Sequence, residues 1–115
     1  MKKFLLSFYY AGRGIKDCFK SERNFKVHTL AAIAAVIFSV IFKISPTEWL
    51  FIVMSIVSVT VTEMINTIAE KTADYIEPEK NEAVRFIKDM AAGMVLITAI
   101  GAFTVGAVIF IPKIF

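Results

Sequence analysis

Four polar residues in one stretch have types and spacing suited to chemistry. Glu63, Asn66, Glu70 and Asp74 recur at i, i+3, i+7 and i+11. On a helix turning about 100° per residue they fall within a sector of about 80°. Carboxylates and an amide on one helix face are oxygen ligands or acid–base groups aimed at one place. A solvated helix end is the plainer reading, and it suits Asp74 and Lys71. It suits Glu63 poorly, because the uncharged run Trp49–Thr62 leads straight into it. Lys88-Asp89 stands just before another apolar run, where the pair could anchor a helix or meet a phosphate and a bound metal. The third cluster is Glu22-Arg23-Asn24-Phe25-Lys26-Val27-His28. His28 taken alone reads first as a structural hydrogen-bonding residue. Cys18 is the one cysteine, so it forms no internal disulfide, and with only His28 to join it there is no zinc set. It reads as a small buried or lipid-facing residue.

The elements that carry these residues are apolar. The 115 residues are 57% hydrophobic and 20% charged, with eleven Phe, and the mean hydropathy is +0.70. A soluble domain of this size has too little interior for that much apolar surface. The composition favours a bilayer protein over a soluble domain, a nucleic-acid binder or a disordered chain. Three apolar runs stand out: Val27–Phe42, Trp49–Thr62 and Met90–Ile111. Only the third has spanning length unaided. The first needs Phe25 and Lys26, and the second must continue past Glu63.

Lys2 and Lys3 ahead of Phe4–Ala11 resemble the start of a signal peptide. However, Arg13, Lys16, Asp17 and Lys20 share one side of a helix, and Phe4, Phe8, Ala11, Ile15 and Phe19 lie opposite. That pattern predicts a retained amphipathic surface helix, weakened by Gly12 and Gly14. Ser45-Pro46-Thr47-Glu48 is a helix start, with Ser45 at N-cap, Pro46 at N1 and Glu48 at N3. Trp49 suits the membrane interface there. Glu77-Pro78 marks a stop, and Pro112-Lys113 is expected to close the last helix. The expectation is one all-α membrane domain: a surface helix over about 3–21 and transmembrane helices over about 26–43, 46–76 and 83–111. The second of these would measure roughly 45 Å, longer than a hydrocarbon layer of about 30 Å, so its last turns must project into water or sit in a bundle.

Charge sets the expected orientation. Residues 1–26 hold seven basic and two acidic residues, and the rest of the chain is net acidic. Contact of that basic start with anionic lipid is expected. Lys71, Lys80, Arg85 and Lys88 flank the second turn, against Lys43 alone in the first turn and Lys113 alone at the C-terminus. The positive-inside rule puts the N-terminus and the second turn in the cytoplasm and the C-terminus outside. All three polar clusters then share the cytoplasmic side. Carboxylates with bases there suggest Mg²⁺ and a nucleotide phosphate chain. The sequence has no GxxxxGK[ST] and no GxGxxG, so a nucleotide would be held without a P-loop or a kinase fold.

At this point the chain resembles the small membrane-embedded diacylglycerol kinase/undecaprenol kinase family of bacteria. Glu63-x-x-Asn66-Thr67-x-x-Glu70-x-x-x-Asp74 is similar to its signature helix, and Lys88-Asp89-Met90-Ala91-Ala92-Gly93 to its second block. Glu22–His28 and the ending Ile109-Phe110-Ile111-Pro112-Lys113 resemble the Gram-positive, undecaprenol-preferring branch. The likeness covers nearly the whole chain. It departs where Ile68-Ala69 inverts the usual Ala-Ile, where Arg85 replaces a common Lys, and where Asn81 replaces a frequent His.

The resemblance implies a homotrimeric helical bundle that moves the ATP γ-phosphoryl to a lipid alcohol. It implies Glu63 as general base and Glu22 and Glu70 as carboxylates holding the metal of Mg-ATP. Asn66, Lys88 and Asp89 would surround the transferred phosphate, and Tyr10, Glu79 and Asn81 would lie near the nucleotide. Undecaprenol is the expected acceptor, with diacylglycerol as the alternative. Readings of another class are a small multidrug transporter subunit and a non-catalytic assembly protein. The first calls for four spans and a mid-membrane carboxylate. The second gives no reason to gather Glu63, Asn66 and Glu70 near Lys88-Asp89.

Overall fold

The computed structural model describes residues 1–76 and 82–115. They form four helices: α1 Lys2–Ser21, α2 Arg23–Ile41, α3 Pro46–Ile76 and α4 Glu82–Ile114. No strand occurs among the described residues. Helices α2, α3 and α4 are each long and apolar enough to cross a membrane. The chain is therefore an all-α membrane protein. Glu77-Pro78, read as a stop, lies outside the described residues.

Helix α3 packs most extensively on α4 and less on α2, and α1 rests on α2. The radius of gyration is 17.0 Å, against about 13 Å for a compact chain of this length. The apolar core is correspondingly small. Ile44, Ile52 and Ile109 form its buried centre, with Phe42, Trp49 and Phe110 packed around them. Phe38 and Phe42 meet Phe110 at 6.2 and 6.1 Å between ring centroids. This core sits at the end where α3 begins. Nearby, Lys113 Nζ donates to Glu48 Oε2 at 2.8 Å, tying the end of α4 to the start of α3.

The helix ends explain how the elements are aimed. Ser45 and Glu48 form a reciprocal capping box: Glu48 N–H donates to Ser45 Oγ at 3.2 Å, and Ser45 N–H donates to Glu48 Oε1 at 2.9 Å. Helix α2 ends in a Schellman turn. Lys43 N–H bonds the Val40 carbonyl and Ile44 N–H the Ser39 carbonyl, both at 3.3 Å. Lys43 takes φ 50 there, the left-handed conformation that glycine adopts most easily.

Two ends differ from the sequence reading. Helix α2 begins at Arg23 rather than near 26: Lys26 N–H already bonds the Glu22 carbonyl, and Phe25 in this first turn is buried. Helix α4 runs through Pro112 to Ile114. A proline in a last turn removes one hydrogen bond and breaks nothing downstream; Phe115 N–H still bonds the Ile111 carbonyl at 3.0 Å.

Helices α1 and α2 join through one extended residue, Glu22, with φ −114 and ψ 117. Its N–H caps α1 on the Cys18 carbonyl at 3.0 Å, and its carbonyl accepts from Lys26 N–H at 3.3 Å. The carboxylate of Glu22 thus stands at the corner between the amphipathic helix and the first apolar one. The apolar face of α1 is uncovered: Phe4 and Phe8 are more than half exposed, as suits a helix lying on lipid.

Candidate active site

Buried polar side chains are few, and they mark the site. Among the described residues they are Ser39, Glu63 and Thr67, so Glu63 is the one buried charge. Its residue exposure is 2%. A buried carboxylate without partners costs several kcal/mol. Here His28 Nε2 lies 2.9 Å from Glu63 Oε1, so helix α2 supplies the partner for a carboxylate on α3. Among the described residues no other side chain bonds that carboxylate.

The neighbours of Glu63 are acidic. Glu22, from the α1–α2 corner, and Glu70, two turns along α3, both lie near enough for their charges to oppose that of Glu63. Asn66 Nδ2 donates to Glu70 Oε1 at 3.3 Å. Asn66 Oδ1 is buried and unpartnered among the described residues. Thr67 Oγ1 donates to the Glu63 carbonyl at 3.0 Å and receives a long contact of 3.8 Å from Cys18 Sγ of α1. One turn back, Thr62 and Thr98 hydroxyls meet at 2.8 Å and pin α3 to α4.

The structure therefore gathers Glu22, Glu63, Asn66 and Glu70, with His28 added. It arranges the remaining sequence-derived candidates differently. Lys88 forms an ion pair with Asp74, one turn beyond Glu70. Asp89 pairs with Arg85 at 2.8 Å, and Arg85 also meets Glu82. Tyr10 is half-exposed on α1, its ring beside Tyr9 and 5.1 Å from the Arg13 guanidinium carbon. Glu79 and Asn81 lie outside the described residues. His28 as the partner of Glu63 was not readable beforehand, since it depends on the register of α2 against α3.

Charge balance divides the two groups. Asp74 and Asp89 each have a cation. Among the described residues no Lys or Arg is paired with Glu22, Glu63 or Glu70. Glu22, Glu63 and Glu70 offer hard carboxylate oxygens without a Lys or Arg partner, and the unpartnered Asn66 amide oxygen lies on the same helix as Glu63 and Glu70. Still, among the described residues no three His, Cys, Asp or Glu side chains are set to hold a metal by themselves. Carboxylates in this number suit a hard cation that brings further oxygen ligands with it.

Beside His28 runs an apolar cleft of about 280 Å³ between α2, α3 and α4, with Ala32, Ile52, Val59 and Gly106 in its walls. His28 thus belongs both to the polar cluster and to the lining of the apolar cleft.

Fold and site together describe a helical membrane protein with a buried, histidine-bonded carboxylate among its spans. The profile of the prokaryotic diacylglycerol kinase family matches residues 9–110. The chain is 36% identical over 114 residues to an undecaprenol kinase of Bacillus subtilis, covering 99% of this chain and 93% of that one. It is 30% identical over 111 residues to a diacylglycerol kinase of Synechocystis, covering 96% of this chain and 63% of that one. The chain belongs to the prokaryotic diacylglycerol kinase family and is a lipid kinase.

Proposed function

We propose that the protein transfers the γ-phosphoryl group of ATP to undecaprenol, giving undecaprenyl phosphate. The similarity to the Bacillus undecaprenol kinase over nearly both whole chains supports this acceptor. The observation that carries the chemistry is the buried Glu63 carboxylate at the end of an apolar bundle, flanked by Glu22 and Glu70.

A lipid alcohol is a weak nucleophile, and Glu63 acts as its general base. Its Oε2 has no bond from the described residues and takes the hydroxyl proton. The lipid oxygen bonds the γ-phosphorus as the bond to the bridging oxygen of ADP breaks, and ADP departs with that electron pair. Glu22 and Glu70 would hold Mg²⁺, which when bound would neutralise the phosphate oxygens. Two carboxylates suffice because Mg²⁺ ordinarily completes its shell with water and phosphate. Asn66 orients Glu70 through their hydrogen bond. Lys88 exchanges Asp74 for the charge developing on the transferred group. The family resemblance assigns Asp89 to the surroundings of the transferred phosphate and Tyr10 to those of the nucleotide.

The assembly is a homotrimer, and polar residues of neighbouring chains complete the enclosure of the triphosphate. A Cβ added at Gly93 or Gly101 would meet nothing within 4 Å, so those backbones are open to a neighbouring helix. The N-terminus and the site face the cytoplasm and the C-terminus faces outward, as the basic residues favour.

A second reading is a diacylglycerol kinase making phosphatidic acid, supported by the Synechocystis relative. Transfer of label from γ-labelled ATP to undecaprenol and to diacylglycerol, side by side in one detergent and again in vesicles, separates the two. Faster labelling of undecaprenol in both media is expected. Faster labelling of diacylglycerol would reverse the assignment.

A further inference from the structure

Glu63 is buried, yet every nearby acidic charge opposes its own. Glu22 and Glu70 repel it, and no Lys or Arg among the described residues pairs with it. A carboxylate in that setting has two ways to relax. It can turn toward water, or, while it stays ionised and buried, it can be held by a donor. His28 is the donor, at 2.9 Å from Oε1. It reaches Glu63 from another helix, so the bond fixes the carboxylate relative to α2 as well as within α3. His28 is itself partly exposed and lines the apolar cleft between α2, α3 and α4. It therefore stands between the cleft and the carboxylate, with one edge on each.

We propose that His28 is a positioning residue for the phosphoryl transfer: its Nε2–H binds Glu63 Oε1 and leaves Oε2 presented to the acceptor hydroxyl. This inference rests on the reading of Glu63 as the base. With Oε1 occupied, the carboxylate keeps one orientation and one free oxygen, and the proton has a single place to go. Without the bond the carboxylate is free to swing toward its own helix or toward solvent. Misplacing a reacting group by about 1 Å costs on the order of 100-fold in rate. The bond requires the proton on Nε2. Gln at the same position can place an amide N–H near the same point, whereas Asn is too short and Leu has no donor.

The test uses the full chain in vesicles and reads kcat and KM for ATP and lipid in His28→Leu, His28→Gln and His28→Asn. The expected result is a fall in kcat of about 10- to 100-fold in His28→Leu and His28→Asn, with KM for ATP unchanged. His28→Gln is expected to restore most of the rate. In a Glu63→Gln background, His28→Leu is expected to cause no further loss, because the two residues act as a unit. If His28→Leu does not assemble, the Gln and Asn variants decide, and equal rates for these two overturn the proposal. Wild-type kcat in His28→Leu overturns it as well. If Glu63→Gln itself turns over normally, the base assignment falls whatever His28 does. If Glu63→Gln is inactive and His28→Leu is not impaired, only the role of His28 falls.

Discussion

At the residue scale the informative contrast is between charges that have partners and charges that do not. Lys88 and Asp74 neutralise each other across α4 and α3, and both side chains are accessible enough to exchange partners. Glu22, Glu63 and Glu70 have no Lys or Arg partner among the described residues, and Glu63 is met by His28 alone. If Lys88 leaves Asp74 to meet phosphate, the two partners respond unequally to substitution. Lys88→Met is predicted to lower kcat by about 100-fold or more, as loss of a donor to a developing oxyanion does. Asp74→Asn is predicted to change it by only a few-fold, since a surface ion pair contributes little. Steady-state kinetics on the two variants check this, and a dead Asp74→Asn beside a normal Lys88→Met would reverse their roles. The spacing of Glu63, Asn66 and Glu70 on one helix face was legible in the sequence, because a 3.6-residue period is local information. The meeting of His28 with Glu63 was not. It depends on how far α2 is rotated and slid against α3, and no local pattern encodes that.

At the scale of elements, α3 performs two tasks with one unbroken helix. Its first half is apolar and its second carries the carboxylates. One alanine inserted after Thr67 would rotate Glu70 by about 100° relative to Glu63. Kinase turnover is predicted to fall by at least about 100-fold while helical content by circular dichroism is unchanged. Retained turnover would mean that Glu63 and Glu70 need not share a face. At the opposite end of α3, Ser45→Ala removes the cap on the Glu48 N–H and is predicted to cost about 1 kcal/mol of stability with kcat unchanged. Lys43→Gly is predicted to raise the unfolding midpoint, because glycine takes φ 50 without the steric cost of a Cβ. Denaturation monitored in one detergent measures both. The capping box could be read from four adjacent residues. The left-handed Lys43 could not, since nothing in Phe42-Lys43-Ile44 resembles the glycine such turns favour. The persistence of α4 through Pro112 to Ile114 also escaped a purely local reading: proline's missing N–H disrupts a helix interior more than a last turn.

At the scale of the whole molecule, most of the apolar surface is unspent. Phe103 and Ile97 are 79% and 73% exposed, and the buried apolar cluster of Ile44, Ile52 and Ile109 is small. Composition announced that this surface must be covered by lipid or by further copies of the chain, but it could not say which face meets which. Crosslinking in vesicles is predicted to stop at trimers, and a ladder ending at monomers would contradict the assembly. Single cysteines introduced at Lys2 and Phe115, on a chain with Cys18 replaced by alanine, are predicted to react from opposite sides of the membrane. Labelling of both from one side would contradict the proposed topology.

The central claim is that a buried carboxylate on α3 draws the proton from a lipid hydroxyl as phosphate is transferred. Label transfer from γ-labelled ATP to undecaprenol in vesicles, comparing wild type with Glu63→Gln at equal amounts of assembled protein, tests it most directly. The account predicts labelled undecaprenyl phosphate from wild type and a rate lower by at least about 100-fold from Glu63→Gln, with ATP binding retained. Equal rates from the two proteins would contradict it.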